Sequence, residues 1–318
     1  MNGETKPIDF MGVRWVAAGI SLFLMLAAVG SLVVKQLEWG LDFTGGTLVE
    51  LYFDAPAVPD QIRTSLDEAG YTGHVVQFFG SEQDILVRVP PQKQLDERTN
   101  ARLGDILFKT VQSVTDTGVS LRRAEFVGPA VGEELTNKGV VALLTALGLV
   151  LLYVAFRFQL KFAVGAVAAL FHDVLITLGV FSLVGWNFDL TVLAALLAVI
   201  GYSLNDTIVV SDRIRENFRK VRKAGSVEII NISLNETLGR TLVTSLTTLL
   251  VLTALLFLGG EMVRGFALAL IIGVAVGTYS SIYVAANVLL MLKIDKEDLA
   301  VPVKEGADDP DLSGPAGF

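Results

Sequence analysis

The chain has no cysteine and only two histidines in 318 residues. The absence of cysteine excludes a disulfide framework and thiolate metal sites, and two histidines are too few for a multi-histidine metal centre. Charged residues are also scarce, at 18% of the chain, and the net charge is −8. Because nucleic-acid binding requires a basic surface, this charge argues against nucleic acid as a partner.

Motifs of nucleotide-binding and hydrolytic enzymes are missing as well. No glycine-rich loop ends in Gly-Lys-Ser or Gly-Lys-Thr, and the stretch that begins at Gly201 lacks the second glycine of a nucleophile elbow. The pair His172-Asp173 resembles part of a metal phosphohydrolase motif, but the other histidine, His74, lies in a different segment, so the ligand count is not met. We therefore expect no enzymatic activity, no metal and no organic cofactor.

Long hydrophobic runs take the place of such motifs, and hydrophobic residues make up 52% of the chain. The first run, residues 15–34, lies between Arg14 and Lys35 and is about 20 residues long, enough to cross about 30 Å of hydrocarbon as a helix. A cleavable signal peptide has a shorter apolar region and a small-residue cleavage site, so we interpret this run as an uncleaved first span. Further runs predict five more helical spans, at 139–156, 162–185, 190–210, 241–260 and 265–292.

Lysine and arginine in the short loops predict the orientation of these spans. Basic residues precede span one, separate spans two and three, crowd the 211–239 linker between spans four and five, and follow span six. The loop at 186–189 has none, and the loop near Glu261 has only Arg264. We therefore expect residues 1–14, the linker and the tail 293–318 in the cytoplasm. Spans two to six then form a bundle at 139–292, and segment 35–138 lies outside.

Segment 35–138 predicts an α+β domain between spans one and two. Val49, Leu51 and Phe53 alternate with polar residues, as in a half-buried strand. Residues 59–69 and 95–114 have helical periodicity, segments 75–79 and 85–89 flank a predicted turn at 80–84, and 119–126 is a last strand. The order β-α-β-β-α-β is typical of a ferredoxin-like fold. The buried side of the second helix is predicted to consist of Leu103, Ile106, Leu107, Val111 and Val114.

A pair of glycines, Gly45 and Gly46, comes directly before the first strand of this domain. Paired glycines weaken strand pairing, because they have no side chain to pack and lose much conformational freedom on folding. Their position therefore indicates a tight bend or a close approach of two backbones.

Polar residues inside the predicted spans are the candidate functional residues, because an ionisable group in lipid is costly. Asp206 precedes Arg213 by seven residues, or roughly 10 Å of helix rise, and so lies below the cytoplasmic surface. Tyr202 and Ser203 precede Asp206 by four and three positions and share its face of the helix. We expect this face to contact other helices or water rather than lipid.

Span five offers a matching polar face, on which Arg240, Thr244 and Thr248 follow helical spacing. Arg240 lies at about the depth expected for Asp206, and arginine provides a fixed positive charge beside a carboxyl group that exchanges a proton. Two structural interpretations stay open from the residues alone. In the first, Arg240 is an ordinary basic residue whose side chain extends to the cytoplasmic surface. In the second, Asp206 is a structural carboxyl group that caps a helix or pairs with a neighbour.

His172 and Asp173 lie near the middle of span three. Because they are adjacent on a helix, their side chains point about 100° apart and need not act together. A hydrogen bond to a neighbouring helix and a part in proton transfer are both consistent with their position.

Stretches from five places, in order along the chain, resemble the SecF proteins of the SecD/SecF protein-export family. They are LDFTGGTLVEL from Leu41, VGPAVGEEL from Val127, HDV from His172, GYSLNDTIVVSDRIREN from Gly201 and NETLGRTLVTS from Asn235. The resemblance covers nearly the whole chain and leaves out only the first few residues and the tail after residue 293.

This resemblance implies a function that composition does not show. SecF is similar to half of a resistance–nodulation–division transporter. With SecD it uses the proton-motive force to help unfolded polypeptide cross the bacterial inner membrane beside the SecYEG translocon. The implied partners are SecD, SecYEG, the translocating polypeptide and, as further candidates, YajC and YidC. The proton is the implied coupling ion.

The resemblance also implies roles for particular residues. Asp206 and Arg240 lie at the family's proton-path positions, and a carboxyl group of SecD would complete the path. The supporting polar residues inside spans are His172, Asp173, Tyr202, Ser203, Asn205, Thr207, Thr244 and Thr248. The signature turns are Gly45, Gly46, Gly128 and Pro129.

Two other functions remain as alternatives to proton-coupled export. A passive assembly factor that only stabilises the translocon has no need of Asp206 inside a span. A complete small-solute exporter of the same superfamily needs more spans and more external structure than this chain has. We therefore expect a polytopic α-helical membrane protein with six transmembrane helices and one ferredoxin-like periplasmic domain, acting as a subunit of protein export.

Overall fold

A computed structural model of the chain describes residues 7–92, 95–115, 117–221, 223–295 and 298. Residues 1–6 of the predicted N-terminal segment and most of the predicted tail lie outside the described residues. The helices of the described part are α1 Arg14–Val34, α2 Leu41–Thr44, α3 Pro59–Glu68, α4 Glu97–Ala101, α5 Leu103–Val114, α6 Pro129–Arg157, α7 Leu160–Val184, α8 Leu190–Lys220, α9 Ser226–Leu258 and α10 Glu261–Met291. The strands are β1 Glu38–Trp39, β2 Gly46–Phe53, β3 Val75–Phe79, β4 Ser81–Val89, β5 Val119–Val127 and β6 Asn187–Phe188.

Six of the described helices, α1 and α6 to α10, are long and apolar enough to cross a membrane. The prediction of six helical spans is therefore confirmed. Helices α7, α8 and α10 are about half buried and form the inner part of the bundle, whereas α1, α6 and α9 are mostly exposed. The exposed side chains of α9 include Leu246 and Leu250. Such an aliphatic surface is expected of helices that contact lipid or another membrane protein.

Helices α8 and α9 continue beyond their predicted spans and take up most of the 211–239 linker. Residues 221–225 are all that separates the two helices. Hydropathy marks only the apolar part of a helix, whereas charged residues at helical spacing extend α8: Glu216 pairs with Arg213 at 2.7 Å and with Lys220 at 2.5 Å. Asn217 Nδ2 also donates to Ser233 Oγ of α9 at 3.0 Å. The basic segment is thus a helical extension of the bundle.

Helix α6 also begins before its predicted span. Its first residue is Pro129, whose fixed φ suits the first turn of a helix. Gly128 is the preceding N-cap residue, in an extended conformation with φ −66° and ψ 146°. The signature turn at these two residues is therefore the place where β5 passes into α6. The α+β domain between α1 and α6, called the external domain because it lies outside the long apolar helices, thus continues directly into one of them.

The four longer strands form one antiparallel sheet in the order β3-β4-β2-β5. Helices α3 and α5 pack on one face of this sheet and share a hydrophobic core with it. Val49, Leu51 and Phe53 belong to this core and are at most 1% exposed, as their alternation in the sequence predicts. Along the chain the elements run strand, helix, strand, strand, helix pair and strand.

Three details of this domain differ from the sequence prediction. The helix expected at 95–114 is broken into α4 and α5 at Arg102, whose backbone is not helical, with φ −98° and ψ 1°. Val114, predicted to be buried, is 45% exposed because it is the last residue of α5 and lies past the edge of the core. The turn expected at 80–84 is much shorter: Gly80, with φ 87°, makes it and β4 begins at Ser81.

A short parallel strand pair ties the start of the external segment to the loop before α8. Strand β1 pairs with β6, and Gly40 N donates to Phe188 O at 2.8 Å. Asp42 Oδ2 accepts a hydrogen bond from Leu190 N at 3.0 Å, so this carboxylate caps the N-terminus of α8. Sequence patterns could not reveal this pair, because a two-residue strand has no periodicity.

Gly45 and Gly46 make the close backbone approach that the sequence predicts. Both have positive φ, at 67° and 120°. A Cβ atom on Gly46 would lie 2.5 Å from Val89 O, and one on Gly45 would lie 3.1 Å from Val127 O. Only glycine suits this place, because other residues rarely adopt such φ values and the space is filled by neighbouring backbone.

Candidate functional site

Asp206 lies on α8 with its side chain inside the membrane bundle. The residue is 3% exposed. Its carboxyl oxygen Oδ2 has no hydrogen-bond partner among the described residues. An oxygen of this kind leaves room for a proton or for one further donor, since a carboxyl group offers about four acceptor positions.

Hydroxyl side chains from three helices form a hydrogen-bonded group that begins beside this carboxyl group. Ser245 of α9 lies beside it. Ser245 Oγ is 2.7 Å from Thr278 Oγ1 of α10, and Tyr202 OH of α8 donates to Ser245 Oγ at 3.4 Å. We call Tyr202, Asp206, Ser245 and Thr278 the Asp206 layer. Its hydroxyls can pass a proton along, because each of them both donates and accepts.

Arg240 of α9 is close enough to Asp206 for its charge to act on the carboxyl group. The two side chains do not form a direct ion pair within the described part of the structure. Arg240 is itself exposed, whereas Asp206 is buried. The structure therefore places the two predicted relay residues near each other, with an exposed, fixed positive charge acting on a buried carboxyl group.

Thr244 and Thr248 do not join the Asp206 layer. Their hydroxyls donate to carbonyls of their own helix, at 3.0 and 2.9 Å. The buried polar face of α9 instead consists of Ser233, Thr237, Thr241 and Ser245. This face lies one residue further along than the predicted one, because a threonine-rich helix satisfies the four-residue spacing on two overlapping faces.

The other polar residues of span four point in different directions. Thr207 is buried, and its Oγ1 has no partner among the described side chains and backbone. Asn205 is exposed. Ser203 is buried but donates its hydrogen bond toward α7. Of the two residues predicted to share the face of Asp206, Tyr202 reaches the Asp206 layer and Ser203 does not.

A second buried polar group lies between α7, α8 and α10. His172 and Asp173 are at most 1% exposed, and His172 Nδ1 is 2.9 Å from Asp173 Oδ1. Ser203 Oγ and Ser280 Oγ both donate to Asp173 Oδ2, at 2.5 and 2.7 Å. We call these four side chains the Asp173 cluster. Although adjacent helical side chains diverge by about 100°, His172 and Asp173 meet here.

Residues missed by sequence reasoning complete both polar groups. Ser245, Thr278 and Ser280 were not among the candidates, and two of them lie on α10, for which no candidate was named. The available signal was a four-residue spacing of small polar residues in an apolar helix, as for Thr241 and Ser245. Serine and threonine are common in membrane helices, so this signal becomes specific only when a buried carboxyl group is placed beside it.

Both polar groups consist of side chains that can exchange protons and form hydrogen bonds. Carboxyl, imidazole and hydroxyl groups bind and release protons, and no three described His, Cys, Asp or Glu residues form a metal site. The fold and the site together define a class: a polytopic helical membrane protein with an α+β domain outside its helices and a buried carboxyl group near an arginine inside them.

The comparison with known families places the chain within this class. Residues 107–295 match the family described as protein export membrane protein SecD/SecF, C-terminal. Residues 30–57, which include Gly45 and Gly46, match the SecD/SecF GG motif. The chain belongs to the SecD/SecF family, as the five sequence stretches indicated.

Individual relatives match nearly the whole chain. It is 51% identical to protein translocase subunit SecF of Vibrio alginolyticus, over 95% of this chain and 96% of the relative. The corresponding subunit of Pseudomonas aeruginosa is also 51% identical, over 97% and 99%. With its six apolar helices and these relatives, the chain is a multi-pass protein of the inner membrane.

A solved structure shows the same fold. The crystal structure of SecDF, a translocon-associated membrane protein from Thermus thermophilus, is 42% identical with a TM-score of 0.82. The match covers 92% of this chain and 40% of that longer chain. A structure of SecDF in a super-membrane-facing form gives a TM-score of 0.66 at 41% identity. The fold described above is therefore closer to the first of these two forms.

Proposed function

We propose that the chain is the SecF-type subunit of a SecD–SecF complex that uses the proton-motive force to assist Sec-dependent translocation of unfolded polypeptide. The observation that carries this proposal is the buried Asp206 carboxyl group, with Oδ2 unpartnered among the described residues and with exposed Arg240 acting on it. Most buried polar side-chain atoms in proteins have a hydrogen-bond partner. Asp206 instead has the open position that a proton carrier requires.

Exposed polar side chains support SecD as the partner. Arg240 and Thr244 are exposed on α9, whose other exposed residues are mostly apolar, and Asn205 is exposed on α8. Because polar groups that face lipid are costly, a second membrane protein is expected to cover these three residues. A carboxyl group of SecD opposite Arg240 would complete the proton path. The Thermus thermophilus relative, named SecDF, is long enough to hold both parts in one chain.

The energy available is sufficient for a mechanical role. One charge that crosses a potential of 100 mV releases about 2.3 kcal/mol. A few protons per cycle can therefore drive a transition between two states that differ by a few kcal/mol. The junction of β1, β6 and Asp42 at the N-terminus of α8 offers a contact through which the helix that carries Asp206 acts on the external domain.

We also propose that the external domain is ferredoxin-like and periplasmic, with both termini in the cytoplasm. The strand order β3-β4-β2-β5, with helices on one face, supports this fold. Arg157 is the last residue of α6, Lys161 lies in the first turn of α7, and Arg213 lies in the last third of α8, all at the ends of these helices away from that domain. Basic residues at this side support a cytoplasmic location for it. The emerging polypeptide, SecYEG, YajC and YidC are proposed partners on the basis of the family resemblance.

Single cysteines in this cysteine-free chain should reveal the orientation. A cysteine at exposed Ser81 should react with an impermeant maleimide on intact spheroplasts, whereas one at exposed Lys223 should react only after the membrane is permeabilised. The two sites lie in the external domain and between α8 and α9. Labelling of Lys223→Cys but not of Ser81→Cys in intact spheroplasts would overturn the proposed orientation.

Isolation of the assembled complex tests the proposed function as a whole. The tagged chain, purified from native membranes in a mild detergent, should carry SecD and translocon subunits with it. As a control, an unrelated multi-pass protein of similar abundance is purified in the same way. Recovery of no partner beyond those of the control would contradict the proposal and favour an independent transporter.

A further inference from the structure

We infer that Asp173 is a positioning residue for Asp206: it holds α8 against α10 through Ser203 and Ser280 and so fixes the place of the Asp206 layer. The inference rests on the proposed proton-relay role of Asp206 and deepens it. It concerns a second buried carboxyl group, on α7.

The hydrogen bonds of Asp173 join three helices at one side chain. Oδ2 accepts from Ser203 Oγ of α8 and from Ser280 Oγ of α10, at 2.5 and 2.7 Å. Oδ1 is 2.9 Å from His172 Nδ1 of its own helix, α7. In contrast to Asp206, both carboxyl oxygens are therefore occupied. A carboxyl group that accepts several hydrogen bonds in the protein interior is a strong structural contact.

The two helices that Asp173 joins also carry most of the Asp206 layer. Ser203 precedes Asp206 by three residues on α8, and Ser280 follows Thr278 by two residues on α10. An α-helix is stiff over less than one turn, so a fixed Ser203 sets the height and rotation of Asp206. In the same way, a fixed Ser280 sets the position of Thr278, which contacts Ser245 at 2.7 Å.

Glycines of α10 bring the two helices close enough for this contact. A Cβ atom on Gly277 would lie 3.1 Å from Ser203 Cβ and 3.5 Å from Asp173 Oδ2. One turn earlier, a Cβ atom on Gly273 would lie 2.1 Å from Val199. Small residues permit close approach in membrane bundles but do not fix a rotation, whereas hydrogen bonds do.

The titratable neighbours of the two carboxyl groups are different. His172 contacts Asp173 directly, and the His172 ring stacks on Tyr279 of α10 at 6.1 Å between centroids. Arg240 acts on Asp206 from α9. Asp173 is not among the groups whose charge acts on Asp206, so its influence passes through the placement of α8 and α10.

Two adjacent serines of α10 provide a matched pair of variants. Ser280 and Ser281 are both 0% exposed. Ser280 donates to Asp173, whereas Ser281 Oγ donates to Thr278 O of its own helix at 3.0 Å. Ser280→Ala removes the contact with Asp173, Ser281→Ala removes a buried hydroxyl without such a contact, and Ser280→Thr restores the hydroxyl at the first position.

The readout is the reaction of Asp206 with dicyclohexylcarbodiimide, which modifies protonated carboxyl groups in apolar surroundings. The full chain, together with SecD in native membranes, is treated between pH 5 and 9, and modification of the peptide that contains Asp206 is followed by mass spectrometry. An interhelical hydrogen bond in a membrane protein is worth roughly a threefold change in an equilibrium constant. Ser280→Ala should therefore change the rate at which Asp206 is modified about threefold. In Ser281→Ala and Ser280→Thr, the modification of Asp206 should depend on pH as it does in the parental chain.

The outcomes distinguish failure of the positioning role of Asp173 from failure of the relay role of Asp206. Equal profiles for Ser280→Ala and Ser281→Ala, with Asp206 modified in the parental chain, would show that Asp173 does not position Asp206 and would leave the relay proposal intact. An Asp206 that is not modified in the parental chain at any of these pH values would contradict proton exchange at this residue, and the inference would fail with the proposed function.

Discussion

Asp206→Asn should insert and bind SecD like the parental chain but lose the part of protein export that depends on the proton gradient. Asparagine has nearly the size of aspartate and forms hydrogen bonds, but it cannot take up or release a proton. In cells whose only copy is this variant, export of a pulse-labelled precursor should fall to the level of cells that lack the chain. Asp206→Glu, which keeps the carboxyl group at a slightly different place, should retain part of the activity.

Asp212→Asn is the matched control on the same helix. Asp212 is partly exposed and pairs with Arg157 at 3.0 Å and Arg215 at 3.1 Å. Because surface ion pairs contribute at most about 1 kcal/mol, this variant should export like the parental chain. If Asp212→Asn were as defective as Asp206→Asn, the loss would reflect damage to α8 rather than proton chemistry.

Arg240 is expected to matter through its charge. Arg240→Met keeps much of the aliphatic side chain but removes the counter-charge that acts on Asp206, so gradient-dependent export should be impaired. Arg240→Lys should retain more activity than Arg240→Met in the same pulse-labelling assay. Equal activity of Arg240→Met and the parental chain would support the interpretation of Arg240 as an ordinary surface residue.

Gly46→Val should distort the external domain while the membrane helices still insert. Gly46 has φ 120°, and a Cβ atom there would lie 2.5 Å from Val89 O. The strained backbone and the overpacking together should cost roughly 3 kcal/mol or more. Because β2 pairs with both β4 and β5, a shift at Gly46 disturbs the sheet on both sides. We expect the domain to lose its resistance to trypsin added to spheroplasts.

Gly128→Val introduces the same side chain at the other signature turn of the domain. Gly128 has φ −66°, and nothing lies within 4 Å of the position of its Cβ atom. Valine is only a poorer N-cap than glycine, so the cost should be at most about 1 kcal/mol and trypsin resistance should be kept. Gly46→Val with the protease resistance and export of the parental chain would show that Gly46 is an ordinary loop residue.

Hydropathy and charge in the sequence predict a large part of this fold. Six apolar runs predict the six long helices, because crossing a membrane requires a fixed number of apolar residues. Asp206 stands out for the same reason, as a carboxyl group inside such a run. The alternation of Val49, Leu51 and Phe53 predicts the central strand of the external sheet, since one face of that strand is buried.

Contacts between helices are what the sequence could not provide. Ser245 and Thr278 are ordinary hydroxyl residues until α9 and α10 place them against each other. Thr244 and Ser245 fit the helical spacing about equally well, and only the packing of α9 decides which of them is buried. The meeting of His172 with Asp173 depends on side-chain rotation, which helical geometry alone does not specify.

The role of Asp206 in proton coupling is tested most directly by translocation into inverted membrane vesicles with and without an uncoupler. ATP-driven translocation is measured in vesicles that carry the parental chain, Asp206→Asn or Asp212→Asn, and in vesicles depleted of SecD. The account predicts that the uncoupler slows translocation with the parental chain and Asp212→Asn, but affects Asp206→Asn no more than the SecD-depleted vesicles. If Asp206→Asn vesicles stay as sensitive as parental ones while SecD-depleted vesicles do not, the proton-relay role is contradicted and a passive assembly factor explains the chain better.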